Sequence, residues 1–330
     1  MSAIRSEYIL KNDLLDVSNK LKLKKGIYLL ISVIIAFLFA LPEDITWARD
    51  RLNYLTYAES SSIIIQRYLS TGILSIFSNE PLFLVINIIL LAMFPPEQIV
   101  RIIIFISTLG VLYALGKVTN YSFWIIILFL FIPQIVKNHI IHLRQGLGLS
   151  FYLIGLTLNN KFSRYLKVSA VFIHSSFAFL ILFEILESFL KKIKFNFALR
   201  LVTSTIFLTF FVFLVPELAR LFGDRRAADY DFSIAQSASG LGFLLWAVAG
   251  SIFILTIKKD KINVIACYGI MFYLVSYFFL DFGARILENI IPLILCAVLK
   301  DQKETKIFFI IFLTIYGFIQ WYTNGYSFLI

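Results

Sequence analysis

Residues 262–280 read INVIACYGIMFYLVSYFFL and contain no charged side chain, although Lys261 precedes them and Asp281 follows them. An α-helix needs about 20 predominantly apolar residues to cross the roughly 30 Å hydrocarbon core of a bilayer. A run of this length and composition therefore predicts a transmembrane helix. Similar runs recur along the chain.

Composition extends this prediction to the whole protein. The chain has 330 residues, of which 60% are hydrophobic and 15% are charged, whereas a soluble globular domain is about 45–50% apolar. The apolar runs are continuous and do not alternate with polar residues, which argues against a transmembrane β-barrel. We therefore predict an all-α, polytopic integral membrane protein with a single transmembrane domain over residues 1–330.

Ten or eleven spans fit the hydropathy pattern. The segments are 26–41, 81–95, 98–117, 121–137, 146–158, 167–190, 198–221, 240–257, 262–280, 286–299 and 306–323. The segment 146–158 is short for a span, and 167–190 carries His174, Ser175 and Ser176 near its middle. We expect a broken or re-entrant element in one of the two, which a membrane protein tolerates where backbone faces protein or water.

The charge distribution indicates membrane topology. The formal net charge is +10, and lysines cluster in short connectors between apolar runs, which is the positive-inside pattern. This origin of the charge argues against a nucleic-acid partner, and none is predicted. Residues 1–25 are expected to be a cytoplasmic lead without a cleavable signal peptide, and residues 42–80 and 222–239 to be external loops.

The topology of residues 121–190 stays open. If every segment crosses fully, residues 161–167 lie outside, against the charge bias. If 167–190 is re-entrant, these residues lie inside and Arg144 lies outside. We favour the second arrangement.

Charged and aromatic residues at membrane edges are candidates for function because they are costly there. Asp50, Tyr54 and Tyr57 follow the first span at helical spacing, so one helix face could present a carboxylate and two phenols to a sugar. An aromatic interfacial belt is the alternative. Glu80-Pro81 is typical of an ordinary helix start.

Two further candidates lie in the middle of the chain. Arg144 stays charged and can grip phosphate in two-point fashion. His139 and His142 share a helix face, but no acid or cysteine lies nearby in sequence, so no metal is predicted. His174 is either a packed residue or a base, since histidine titrates near neutral pH.

The last candidates are basic groups on the predicted outer side. Adjacent Arg225 and Arg226 could hold a phosphate, and Asp229 could bind sugar hydroxyls; a solvated, self-paired loop is the alternative. Arg285 is four residues from Asp281 and could pair with it on a helix. Several outward arginines suggest a diphosphate or another polyanion as ligand.

Taken in order, these residues resemble the EpsG/Wzy-type polysaccharide polymerase family over about residues 45–290. The matching motifs are Arg49-Asp50 with Asn53-Tyr54, Glu80-Pro81-Leu82-Phe83, Arg144-Gln145-Gly146-Leu147-Gly148, His174-Ser175 and the late Arg285. One departure is that Gly146 and Gly148 stand where such proteins commonly have alanine.

The resemblance implies an enzyme of the bacterial cytoplasmic (inner) membrane with its active site facing the exterior. Such a membrane glycosyltransferase transfers a growing O-antigen or exopolysaccharide chain from undecaprenyl diphosphate to a new lipid-linked repeat unit. No cofactor, nucleotide sugar or metal is expected. The implied partners are undecaprenyl-diphosphate-linked oligosaccharide and membrane lipid. The resemblance also allows a chain-length-regulating protein as a partner.

The resemblance also implies roles for individual residues. Diphosphate binding and stabilisation of its developing charge fall to Arg144, Arg285, Arg225 and Arg226. The candidate bases that would take a proton from the attacking hydroxyl are His174 and Asp50, with His142 third. The candidate sugar contacts are Tyr54, Tyr57, Gln145 and Asp229.

Two other functions remain open. A flippase or transporter of lipid-linked oligosaccharide would also use outward arginines, but inverted repeats with matching interrupted helices are not evident in the sequence. An O-antigen ligase would use the same donor with a different acceptor, and usually carries a longer outer loop.

Overall fold

The computed structural model describes residues 2–42, 44, 46, 48–223, 240–280, 282–300 and 303–324, which form fifteen α-helices and no strand. In chain order these are α1 Ser2–Ala40, α2 Arg51–Thr71, α3 Ile73–Ser78, α4 Pro81–Leu91, α5 Pro96–Val118, α6 Phe123–Phe131, α7 Pro133–Ile140, α8 Leu143–Thr157, α9 Lys161–Ile173, α10 Phe177–Lys192, α11 Phe197–Leu221, α12 Leu241–Thr256, α13 Lys261–Ser276, α14 Gly283–Leu299 and α15 Lys303–Asn324.

The all-α, polytopic membrane class is confirmed. Within the described part of the chain, four helical stretches are long and apolar enough to cross a membrane: Asn19–Ala40 of α1, all of α5 and α11, and Glu304–Thr323 of α15. The bent pair α6 and α7 would make a fifth if it is one span. Helices α4, α12 and α13 are apolar but shorter. Each of the eleven predicted segments coincides with a helix or a pair of helices.

Two of the predicted segments are broken. The segment 121–137 divides at Ile132, which adopts an extended backbone (φ −86°, ψ 109°), and α6 and α7 meet at an angle of 78°. Pro133 explains this bend, because a residue before proline is disfavoured in the helical region. The second break lies in segment 167–190, where His174 is extended and separates α9 from α10. A broken element was predicted at this place.

Close packing around α8 explains its glycines. A Cβ atom on Gly146 would lie 2.1 Å from the backbone carbonyl oxygen of Asn138, and one on Gly148 would lie 2.5 Å from the ring of Phe177. Small residues allow helices to approach closely in membrane proteins. Alanine, the residue that the family resemblance favours, would therefore not fit at either position without a shift of its neighbours.

Buried ion pairs tie the other half of the bundle together. Glu184 of α10 forms ion pairs with Lys167 (2.5 Å) and Lys261 (2.9 Å). These two pairs join α9, α10 and α13. Glu187, one turn further along α10, accepts from Arg200 of α11 at 2.9 Å and from the Tyr268 hydroxyl of α13 at 2.6 Å. These pairs stabilise helix positions, since each buried charge needs a partner.

Replacing Gly146 with alanine should destabilise the protein, because the new methyl group would overlap the Asn138 carbonyl and force α7 and α8 apart. Overpacking of this kind typically costs about 1–3 kcal/mol. Thermal unfolding in detergent measures the change. Gly26→Ala is the matched control, because nothing lies within 4 Å of its Cβ position; equal thermal stability of both variants would contradict the packing described.

Candidate functional site

Glu80 adopts an unusual backbone conformation at the start of α4. Its φ of 62° and ψ of 53° lie in the left-handed region, which costs a non-glycine residue about 1–3 kcal/mol and persists only where the surroundings enforce it. The preceding Asn79 donates its side-chain amide to the carbonyls of Ser75 (2.7 Å) and Gly223 (3.2 Å). These bonds hold the turn so that the Glu80 side chain is buried.

The Glu80 carboxylate joins two distant parts of the chain. Arg144 Nη1, in the first turn of α8, donates to Glu80 Oε2, and His174 Nδ1, at the break between α9 and α10, contacts Glu80 Oε1. All three side chains are largely buried. A carboxylate shared between a guanidinium and an imidazole satisfies the rule that buried charges are paired.

Aromatic rings of α2 contact the guanidinium group of Arg144. Its guanidinium carbon lies 4.9 Å from the ring centre of Tyr57 and 5.9 Å from that of Tyr54, within the range of cation–π attraction. Nη1 also lies 3.4 Å from the Tyr57 hydroxyl. Arg144 Nε is buried without a hydrogen-bond partner among the described residues, so one donor of this fixed guanidinium is left unsatisfied.

A cavity of about 580 Å³ opens beside this group. It is lined by every predicted site residue that the structure describes, and these are Asp50, Tyr54, Tyr57, His142, Arg144, Gln145, His174 and Arg285. The other predicted residues, Arg225, Arg226 and Asp229, lie outside the described residues, as does Asp281. Residues far apart in sequence are thus brought to one concave polar surface, which is where ligands commonly bind.

A second histidine–carboxylate pair lies at the same cavity. Glu288 of α14 accepts from Lys137 Nζ at 2.8 Å, and its other oxygen is 3.8 Å from His142 Nδ1. His142 lines the cavity, whereas His139 does not. His139 is fully buried, with Nδ1 3.3 Å from Ser107 Oγ, which is the environment of a packed histidine.

Gln145 holds two helices together. Its amide nitrogen donates to the Arg285 carbonyl at 3.1 Å and to Asn289 Oδ1 at 2.9 Å, and Asn289 in turn donates to Ser176 Oγ at 2.9 Å. These bonds fix α14 against α8 and against the α9–α10 break. The amide nitrogen of Gln145 is thus already engaged in hydrogen bonds within the protein. Its predicted contact with sugar stays a prediction.

The cavity is rich in positive charge. Arg285 is exposed and lines it, and Arg67 of α2 lines it too, although in the sequence Arg67 looks like part of an interfacial amphipathic helix. No carboxylate pairs with either arginine among the residues that the structure covers. Asp50 is the one acid among the described residues that line the cavity, against three arginines, so the cavity suits an anionic ligand.

Glu80 and Glu288 are functional candidates to which the sequence assigned no site role, although Glu80-Pro81 is part of a motif that resembles the EpsG/Wzy-type family. Glu80 reads as an ordinary helix start, and Glu288 lies within an apolar segment between Arg285 and Pro292. An acidic residue inside a predicted span is the signal that could have identified Glu288. Among the described residues, no group of three or more His, Cys, Asp or Glu could hold a metal ion.

The pairing of Glu80 with Arg144 predicts non-additive effects on stability. Glu80→Ala should cost roughly 3–5 kcal/mol, because removing one partner of a buried pair strands the other charge. Adding Arg144→Ala to Glu80→Ala should cost much less than the sum of the single changes. Denaturation midpoints in detergent measure this, with Glu217→Ala of the exposed Glu217–Arg220 pair as a near-neutral control. Additive losses would contradict direct pairing.

The comparisons with known proteins give one match. A model of the EpsG family matches residues 25–329 of the chain, which is most of its length. Searches of curated proteins and of solved structures each found no match. The chain therefore belongs to the EpsG family, and this membership supports a polysaccharide polymerase type of role in general.

Proposed function

We propose that this protein polymerises a surface polysaccharide by transferring a growing glycan from undecaprenyl diphosphate to the end of a new lipid-linked repeat unit. The reaction would take place at the outer face of the bacterial cytoplasmic membrane. The observation that carries the proposal is the Glu80 carboxylate, which holds Arg144 and His174 together at a cavity that also contains Arg285. A cation for the leaving diphosphate and an oriented base are the two groups that this reaction needs.

Arg285 is the best placed group to bind the diphosphate. It is exposed in the cavity, and no carboxylate among the described residues pairs with it. Arg144 is partly neutralised by Glu80 but keeps its buried Nε donor. Arg67 adds a third positive group in the same lining. Together they would stabilise the negative charge that develops on the diphosphate.

His174 would act as the base. Its Nδ1 contacts the Glu80 carboxylate, and a carboxylate in this position orients an imidazole and stabilises its protonated form, as in other histidine–carboxylate pairs. In the transfer, the acceptor hydroxyl oxygen forms a bond to the anomeric carbon of the donor glycan while the bond from that carbon to the diphosphate oxygen breaks. The hydroxyl proton passes to His174, and the departing carrier diphosphate keeps the bonding electrons.

The sugars would lie along α2. Both tyrosines border the cavity and pack against Phe83, but Tyr57 is half-buried whereas Tyr54 is only 6% exposed. Tyr57 is therefore the better candidate for stacking on a sugar ring. Asn53 and Tyr68 lie in the same lining and offer further hydrogen-bonding groups. Asp50, at the left-handed residue before α2, is exposed and would serve better as a sugar contact than as the base.

The first experiment compares surface glycan from the source bacterium with and without the gene on a gel ladder. Acceptors that carry a single repeat after deletion would support a polymerase. A complete absence of glycan on the acceptor would favour a flippase or a ligase. The wild-type gene, supplied separately, should restore the ladder.

The three histidines of the chain provide a matched test of the base. His174→Ala should lower the elongation rate by about 10²–10⁴-fold, the usual contribution of a general base, with membrane insertion retained. His139→Ala should leave elongation within a fewfold of wild type, because His139 lies outside the cavity. The measurement is glycan elongation by purified protein. A large loss in His142→Ala together with a small one in His174→Ala would assign the base to the His142–Glu288 pair.

A further inference from the structure

A second cavity, of about 550 Å³, lies directly beside the polar one. It is enclosed by α3, α9, α10, α11 and α14, and apolar side chains form most of its lining. These include Leu74, Phe77, Phe172, Phe179, Phe211 and Leu218. A cavity with this lining cannot satisfy the hydroxyl groups of a glycan, since each buried polar group without a partner is costly.

The two cavities share a boundary. His174 and Arg285 line both of them, and Ser175 and Ser176 line the apolar one at the break between α9 and α10. A ligand that lies across this boundary would meet apolar side chains on one side and a cation on the other. That combination matches a long hydrocarbon chain that ends in a phosphate.

The apolar cavity is open at the protein surface. At its rim Leu74, Phe77 and Phe222 have exposed fractions of 49%, 57% and 42%. Small residues, Ala178 and Ala219, also line it and leave room between the larger side chains. An opening bordered by exposed apolar side chains suits contact with lipid, which would let a carrier chain enter from the side without leaving hydrocarbon.

We infer that this apolar cavity, hereafter the carrier groove, binds the isoprenoid chain of the donor while Arg285 holds its diphosphate; the inference rests on the proposed function. The acceptor also carries an isoprenoid, but its carrier is a whole repeat unit away from the attacking hydroxyl. The donor carrier is attached through the diphosphate to the anomeric carbon that reacts. The chain nearest to His174 and Arg285 is therefore the donor's.

The groove would supply selectivity more than affinity. Bilayer lipid is as apolar as the groove, so moving an isoprenoid from one to the other yields little hydrophobic free energy. What the groove adds is close packing and a fixed position of the diphosphate against Arg285. A donor with a short carrier would make fewer of these contacts and would be used less efficiently.

The test uses two donors, with undecaprenyl and with geranyl carriers, and compares kcat/KM for each in detergent. Wild-type protein should prefer the undecaprenyl donor by about tenfold or more. Ala219→Phe, which fills the carrier groove, should bring the ratio of the two close to one while elongation from the geranyl donor persists. Ala198→Phe is the control, because Ala198 is an exposed residue on the same helix and lines neither cavity.

An unchanged ratio in an Ala219→Phe variant that still elongates would overturn the carrier groove and leave the proposed function intact. If wild-type protein elongates with neither donor, or if Ala219→Phe has no measurable activity with either donor, photocrosslinking decides. A diazirine placed in the isoprenoid of an undecaprenyl diphosphate should label peptides that contain Val171–Phe172 and Leu218–Phe222. Labelling elsewhere would overturn the inference, and labelling there without any elongation would remove only the proposed polymerase activity.

Discussion

One buried carboxylate determines how the polar half of the structure is arranged. Glu80 lies where a lone charge would cost several kcal/mol, so Arg144 and His174 must both reach it. The start of α4, the first turn of α8 and the α9–α10 break are therefore brought to one point. The tyrosines of α2 then pack on Arg144, and Gln145, next in sequence, secures α14 and with it Arg285.

The charged side chains fall into two groups with different roles. Glu184 and Glu187 are each surrounded by basic or hydroxyl partners from neighbouring helices, which leaves little of their charge for a ligand. The other group lies at helix ends and breaks, where helices leave backbone groups unsatisfied and side chains can point into open space. Within the part of the chain that the structure describes, no carboxylate pairs with Arg67 or Arg285, so the cavity that they line carries positive charge.

Hydropathy predicted the helices well because a bilayer restricts spanning structure to runs of apolar residues. The same rule explains why eight predicted site residues share one cavity: polar groups in such a protein must face inward. The role of Glu80 could not be read from the sequence, because a Glu-Pro pair looks the same whether its backbone is ordinary or left-handed. The bonds from Gln145 to α14 also depend on tertiary contacts between residues that are distant in the chain.

The backbone at Glu80 shows a local strain that is outweighed by charge pairing. Glycine tolerates a left-handed conformation far better than glutamate does, so Glu80→Gly would relieve about 1–3 kcal/mol of strain in the turn before Pro81. It would also leave Arg144 facing no carboxylate and His174 without the group that orients it, and stranding the buried guanidinium costs roughly 3–5 kcal/mol. A search for thermostable variants would therefore retain glutamate at this position, and would retain the site with it. Residue 80 is a place where a stable fold and the chemistry call for the same amino acid.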